Sequence, residues 1–464
     1  MTSIYIPNQE PNVILLGDIM LDHVIQGTTY KIANEAPIPV INMYNETYHI
    51  GGCGNVLSNL FALGAKQVFL FSRIGNDIDG QHLHSLLPPN TINHIIVDNT
   101  FTTISKNRIY SDQTLVCRYD HEIISSIHSE QEQSIIHTFQ DVIRNQTISS
   151  VIFSDYNKGF LTKHLCQEII SLCNRHHIPT IVDPKIDYTK YIGCTVIKPN
   201  RNETRKIFNL DLDTISLEEA HTQIHTLVDC NLSVITLSGN GMSSWNKKNH
   251  NHVQENPKEI IDVTGAGDIV CSVLGLYYPF IKDIHFLLQI ANHLASISVS
   301  HLGVYTITDN DLLHTYQFIH NTKVIDVHYL PKIHSTVFTN GCFDILHSAH
   351  IALFKYCKSL GSVVIVGLNS DDSIKRLKGP SRPIHSLQER INILNAIEYI
   401  DFIIPFEDDT PIELIKHIQP DFLVKGGDYT IETVIGKEYA KQVSIFNFIN
   451  GFSTTTIIHK IKHS

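Results

Sequence analysis

The sequence predicts two consecutive α/β domains, each built on an open, mostly parallel sheet. Three observations predict it. Short β-branched runs alternate with longer stretches of helical period, the rhythm lapses near residue 325 and then restarts, and 464 residues exceed one typical hydrophobic core. A composition of 42 % hydrophobic and 17 % charged residues fits folded, soluble domains over nearly the whole chain.

From residue 12 to about 305 the strands are NVILLGD, KQVFLFS, SVIFSD, PTIVD, CTVIKPN and SVITLSG, separated by helical segments. TTISKNRIY (102–110) and TLVCRYD (114–120) flank the turn Ser111-Asp112-Gln113 and predict a hairpin standing off the main sheet. NTKVIDVHYLPKIH, from 321 to 334, has neither period and contains a proline, as a linker does. The first domain is therefore placed at 1–322, the linker at 323–334 and the second domain at 335–464. In the latter, STVFTN, SVVIVGLNS, DFIIPF, DFLVKGGD and VSIFNF are the strands.

Lys and Arg number 35 against 46 Asp and Glu, and the net charge of −11 argues against nucleic acid or an anionic membrane as the main partner. Nine cysteines, with no Cys-x-x-Cys pair, suit reduced thiols in a cytoplasm. The opening MTSIYIPNQEPN lacks a basic segment followed by an apolar one, and no later run is long enough to span a bilayer, so a cytoplasmic protein is expected.

DVTGAGDIVCSVLG (262–275) places small residues before an acid and an apolar helix. Gly265, Ala266 and Gly267 leave backbone N–H groups uncovered at a helix start, where unpaired donors and the macrodipole favour a phosphate. Asp268 then stands at the mouth of that anion hole, able to take a proton from an attacking hydroxyl. The alternative is a Gly-rich helix start with Asp as a cap. GDIMLD (17–22) and GGCGN (51–55) supply further polar groups at strand and helix ends, where open α/β sheets bind ligands.

These segments, with SDYNKG (154–159), DPK (183–185) and Asn200-Arg201-Asn202-Glu203, resemble the ribokinase-like (PfkB) sugar kinases. The resemblance implies a ribokinase-like α/β domain with a small β lid, to which the 102–120 hairpin belongs. It implies Asp268 as catalytic base, Thr264 and Gly265 to Gly267 at the anion hole, and Asn200 with Glu203 organising Mg²⁺ and phosphate, Glu203 indirectly. Ser238 and Gly239 in TLSGNGM would lie along ATP, and Asp18, Gly52 and Asn55 would hold sugar hydroxyls. Lys106, Arg108 and Arg118 would hold a phosphate already on the sugar, or form a solvated basic edge that discourages strand aggregation.

In the second domain TNGCFDILHSAH (339–350) puts His347 and His350 on one face of a helix's first turn, through their i, i+3 spacing. They are phosphate clamps, metal ligands with Asp344, or surface residues. The segment resembles the nucleotidyltransferase motif His-x-Gly-His, with Ala349 where the motif has glycine. NSDDSIKRLKGPSRPI, Glu389-Arg390, VKGGDY and GFSTTTII extend the likeness to the adenylyltransferase half of the bifunctional heptose kinase/adenylyltransferase family, covering about residues 11 to 461 in all. This implies a Rossmann-like fold, catalytic His347 and His350, and nucleotide contacts from Asn340, Gly341, Phe343, Lys378, Arg390, Lys425, Ser453 and Thr454.

The implied chemistry is phosphorylation of heptose 7-phosphate at C1 and adenylyl transfer from ATP to heptose 1-phosphate, with Mg²⁺ as cofactor and ATP as substrate of both halves. A separate phosphatase must act between the two steps. A homodimer joined through the kinase half is the expected assembly. The rival readings are a kinase fused to a cytidylyltransferase for another polyol phosphate, and a second domain reduced to nucleotide binding by Ala349.

Overall fold

The computed structural model describes residues 11–208, 216–254, 260–327, 330, 335–427 and 429–446. The chain divides into two compact units between Thr315 and Tyr316. Among the described residues no helix is long and apolar enough to cross a membrane.

The first unit is centred on a sheet that has nine strands among the described residues. Asn12–Gly17 lies between Gln67–Gly75 and Ser150–Ser154, parallel to both. Thr91–Asp98 extends one side, and Thr180–Asp183, Val196–Ile197 and Leu232–Thr236 extend the other, all parallel. Met242–Trp245 and His250–Val253 close that edge antiparallel.

The apolar run NVILLG is continuous because helices cover both faces of the sheet. Ile14 and Leu16 share a core with Ile135, Phe139, Leu165, Ile169 and Ile224, from the helices Ser129–Asn145, Lys163–Arg175 and Leu217–Val228. On the opposite face Ile152, cross-strand from Leu15, meets the helix Ala266–Tyr277 so closely that a Cβ on Gly275 would lie 2.2 Å from its Cδ1. That packing seats the start of this helix over the carboxyl ends of the central strands.

The lid is larger than the expected hairpin. Ser105–Ser111 and Thr114–His121 form that hairpin, with Asp112 at a positive φ of 53° in its turn. Two long antiparallel strands, Ile19–Ile32 and Pro39–Gly52, join it to make a separate four-stranded sheet. The sequence hides them because bulges after Gln26 and near Thr29 break the period-2 alternation on which strand recognition rests.

Among the described residues the second unit has a five-stranded parallel sheet in the order Phe402–Phe406, Val363–Asn369, Thr336–Gly341, Phe422–Gly426, Gln442–Phe446. Its first strand is central and the next elements go to opposite sides, the doubly wound pattern that leaves a crevice at the carboxyl end of Thr336–Gly341. Within the segment expected as linker, Val324 bridges Ile403 in parallel and the Ile325 N–H donates to the Ile403 carbonyl, so Lys323–Ile325 runs along the edge of this sheet.

Candidate functional site

In the first unit the strand order turns between Asn12–Gly17 and Ser150–Ser154, and the polar residues of both strand ends meet there. A cavity of about 500 Å³ opens nearby, lined among others by Tyr156, Lys185, Asn200, Ser238, Gly239 and Asp268. Gly265, Ala266 and Gly267 border it. Gly265 is the residue before the helix and takes φ 82°, a left-handed conformation that explains a glycine there. Thr264 turns its hydroxyl back to Asp262, at 2.7 Å.

Asp268 is buried in the first turn of that helix. Tyr156 Oη donates to its Oδ1 at 2.6 Å and Asn55 Nδ2 to its Oδ2 at 2.8 Å. Burial raises its pKa above the usual carboxylate value, while these two donors and the Lys198 ammonium pull it back. Lys198 is itself buried and pairs with Asp183 at 3.0 Å. Burial opposes its charge, but that carboxylate outweighs the penalty and holds the ammonium above its ordinary range.

Asn200 and Glu203 cap one another: the Asn200 N–H donates to Glu203 Oε2 at 2.9 Å and the Glu203 N–H to Asn200 Oδ1 at 2.8 Å. Glu203 Oε1 also meets Lys185 Nζ at 3.0 Å.

Asp18, expected on the sugar, also has partners within the protein. It accepts the backbone N–H groups of Tyr156, Lys158 and Phe160 at 3.0 to 3.2 Å, so it ties down the loop after Ser150–Ser154. Burial first, and then the Asp155 carboxylate, push its pKa up to about 6 against the pull of those amides. Asn55, likewise expected on the sugar, donates to Asp268, and Gly52, at φ 59°, starts the helix Cys53–Ala62 that carries Asn55.

On the lid Arg108 and Arg118 stand directly opposite one another, with Lys106 two residues away. Like charges so paired repel. Asp22 meets Arg108 at 2.5 Å and Asp120 meets Arg118 at 2.7 Å, which offsets the repulsion, and Lys106 packs its ammonium 5.7 Å from the Tyr156 ring. Asp22, Lys198 and Tyr156 lie inside GDIMLD, CTVIKPN and SDYNKG, where sequence reasoning misses their roles. Their partners are 86, 15 and 112 residues away in the chain, and no local spacing reports such pairings.

In the second unit His347 is the residue before the helix Ser348–Leu360 and His350 lies in its first turn. The rings stack with centroids 3.8 Å apart, and Phe343 meets His350 edge-on at 5.3 Å. The His347 N–H donates to His350 Nδ1 at 3.3 Å, which places the His350 proton on Nε2. Burial lowers the pKa of both rings, and that of His350 falls to about 4 with the help of His347 and Lys378. Both imidazoles are therefore neutral at pH 7.

Asp344 does not join them as a metal ligand. It pairs with Arg382 at 2.7 Å and accepts the N–H groups of Ile384 and His385, and among the described residues no cluster of three His, Cys, Asp or Glu could hold a metal.

Lys425 donates to Asn340 Oδ1 at 2.5 Å, and burial lowers its pKa to about 8. Gly341 lets the Phe343 ring approach, since a Cβ there would lie 3.1 Å from it. Lys378 ends the helix Asp371–Lys378 on an exposed face.

Arg390 corrects an expectation. Expected among the nucleotide contacts, it is instead fully buried, bonding the carbonyls of Cys342, Asn369 and His385 and the carboxylate of Asp371. It braces the strand ends beneath the site. Ser453 and Thr454 lie outside the described residues.

Residues 11–311 match the pfkB family carbohydrate kinases, and residues 338–459 the Cytidylyltransferase-like family. The bifunctional protein HldE of Sulfurimonas denitrificans is 39 % identical over 97 % of both chains, and that of Helicobacter pylori 36 % identical over 97 % of this chain and 99 % of its own. The chain belongs to the HldE family. It is a heptose 7-phosphate kinase followed by a heptose 1-phosphate adenylyltransferase, the two activities of ADP-heptose synthesis.

Among solved structures, phosphofructokinase-2 from Escherichia coli covers 67 % of this HldE chain with a TM-score of 0.55 at 17 % identity. Arabidopsis thaliana ribokinase covers the same share with a TM-score of 0.51 at 14 % identity. These two likenesses show the ribokinase-like fold of the kinase half.

Proposed function

We propose that Asp268 takes the proton of the heptose C1 hydroxyl as that oxygen attacks the γ-phosphorus of ATP. The observation that carries this is its position: a buried carboxylate at a helix start, on the cavity wall, beside the N–H groups of Gly265 to Gly267. Lys198 adds positive charge at the same wall. On the lid Lys106, Arg108 and Arg118 take the 7-phosphate, their crowding relieved when a dianion arrives. ADP and heptose 1,7-bisphosphate leave, and a phosphatase must remove the 7-phosphate before the second half can act.

Asp183 and Glu203 both line the cavity, but each is already paired with a lysine. That donor set fits a hydrated Mg²⁺ reached through water, since this ion keeps several waters and binds mainly to substrate phosphates. When bound, it supplies countercharge to the triphosphate.

In the second half the nucleophile is the sugar 1-phosphate, already an anion, so alignment and countercharge suffice. His350 gives its Nε2–H, and His347 its ring, to the α- and β-phosphates of ATP at the helix start. Lys425 and Lys378 neutralise charge as pyrophosphate departs. Residues 1–322 act as the kinase and 335–464 as the transferase.

The enzyme works in the cytoplasm, which suits its nine cysteines, all unpaired. It pairs as a homodimer through the exposed apolar side chains of the lid, among them Ile32, Met43, Tyr44 and Val116.

The test is product identification in two assays of the full chain. Heptose 7-phosphate with ATP should give ADP and a new anomeric phosphate in the ³¹P spectrum. Heptose 1-phosphate should release pyrophosphate with ATP and far less with CTP. Equal or greater turnover with CTP would replace the adenylyl reading by a cytidylyl one.

A further inference from the structure

The catalytic carboxylate is not held by its own helix. Its two oxygens are fixed by side chains from two other elements, Tyr156 in the loop after Ser150–Ser154 and Asn55 in Cys53–Ala62. Tyr156 is itself anchored. Asp18 accepts its N–H and those of Lys158 and Phe160, and Asn157, at φ 57°, gives its N–H to Asp155 Oδ1 at 2.7 Å. The phenol therefore reaches Asp268 from a loop fastened at four points.

We infer that Tyr156 is a positioning residue of the kinase reaction, fixing the Asp268 carboxylate so that a remaining lone pair faces the sugar C1 hydroxyl and keeping it ready to accept the proton. The inference rests on the reading of Asp268 as base. In the step it serves, the C1 oxygen gives its proton to Asp268 and bonds to the γ-phosphorus, while the bridging β–γ P–O bond breaks and its electrons leave with ADP. Tyr156 keeps its proton throughout. Burial and the adjacent Asp268 charge hold the phenol well above its usual pKa, so it acts only as a donor. A donor to the carboxylate favours the ionised form, which burial alone would disfavour.

The charged and titratable groups facing Asp268 are Lys198, Lys106, Asp183, Cys53 and Cys271 besides Tyr156. All remain in a Tyr156→Phe variant, so the displacement between its pH profile and that of the parent isolates the phenol. Loss of a hydrogen bond to a charged group should move the acid limb of kcat/KM upward by about one to two pH units. Turnover should fall most on the acid side of the profile and recover as pH rises.

A second probe, 3-fluorotyrosine at position 156, is nearly isosteric and a stronger donor, and should move the limb the other way. An unmoved limb in both proteins, or a loss equal at every pH, would overturn the inference. Asp268→Asn separates this failure from that of its premise: a dead Asp268→Asn with unmoved Tyr156 profiles sinks the tyrosine alone, whereas an active Asp268→Asn sinks the base.

Discussion

The two sites occupy the same place in their sheets, at strand carboxyl ends beneath the start of a helix, yet they are furnished oppositely. The kinase site sets a buried carboxylate among Tyr156, Asn55 and Lys198. Among the described residues the transferase site shows no such acid: two stacked, neutral histidines and a half-buried lysine of lowered pKa stand there, and the nearby Asp344 is turned to Arg382. The difference follows from the nucleophile. A sugar hydroxyl must lose a proton, whereas a sugar phosphate arrives without one.

The largest effect expected from this contrast is that of Asp268→Asn. It should lower phosphoryl transfer by roughly a hundred- to ten-thousandfold, the usual contribution of a general base, while ATP still binds and pyrophosphate release from heptose 1-phosphate persists. Undiminished ADP formation would remove Asp268 from its role. The mirror experiment is His350→Ala, expected to lower adenylyl transfer by roughly a hundred- to thousandfold with the kinase unaffected, as for the loss of one donor to developing charge. Equal kinase and transferase losses in either variant, measured on one preparation, would mean that the halves are not chemically separate.

A smaller effect concerns pH. Lys425 carries its charge below about 8 and loses it above, because burial disfavours the ammonium. Adenylyl transfer should therefore decline from about pH 8 upward, approaching tenfold per unit where the ammonium is the active form. The kinase, limited by protonation of a carboxylate, should instead decline on the acid side. Lys425→Arg should flatten the alkaline limb, since a guanidinium stays charged. An alkaline limb unchanged by that substitution would assign it to another group.

Much of this contrast was legible in the sequence, and what was not has a common cause. Strand runs such as NVILLG and the small residues before Asp268 announce themselves because their physics is local: apolar patterning, a glycine at a helix start. The lid strands Ile19–Ile32 and Pro39–Gly52 escaped because bulges shift their register. Helical spacing cannot reveal that the carbonyls of Cys342 and Asn369 converge on Arg390, and nothing local shows the loop amides that Asp18 accepts. Each concerns a polar side chain whose partner is supplied by tertiary structure.

Ala349 gives the smallest expected effect and the sharpest use of the comparison. The motif's glycine suggests that backbone must come near the nucleotide, so that a methyl group there would crowd it. In this chain Ala349 is only 3 % exposed and lies in the first turn of Ser348–Leu360, where its backbone needs no left-handed φ. The methyl is thus packed within the protein. The native full-length chain should release pyrophosphate from ATP and heptose 1-phosphate. Ala349→Gly should change that rate by less than about fivefold, the equivalent of the roughly 1 kcal/mol by which glycine weakens a helix. If the native chain were silent and the glycine variant active, the methyl would be obstructing the nucleotide after all, and the second half would be a binding module with its furnishings intact.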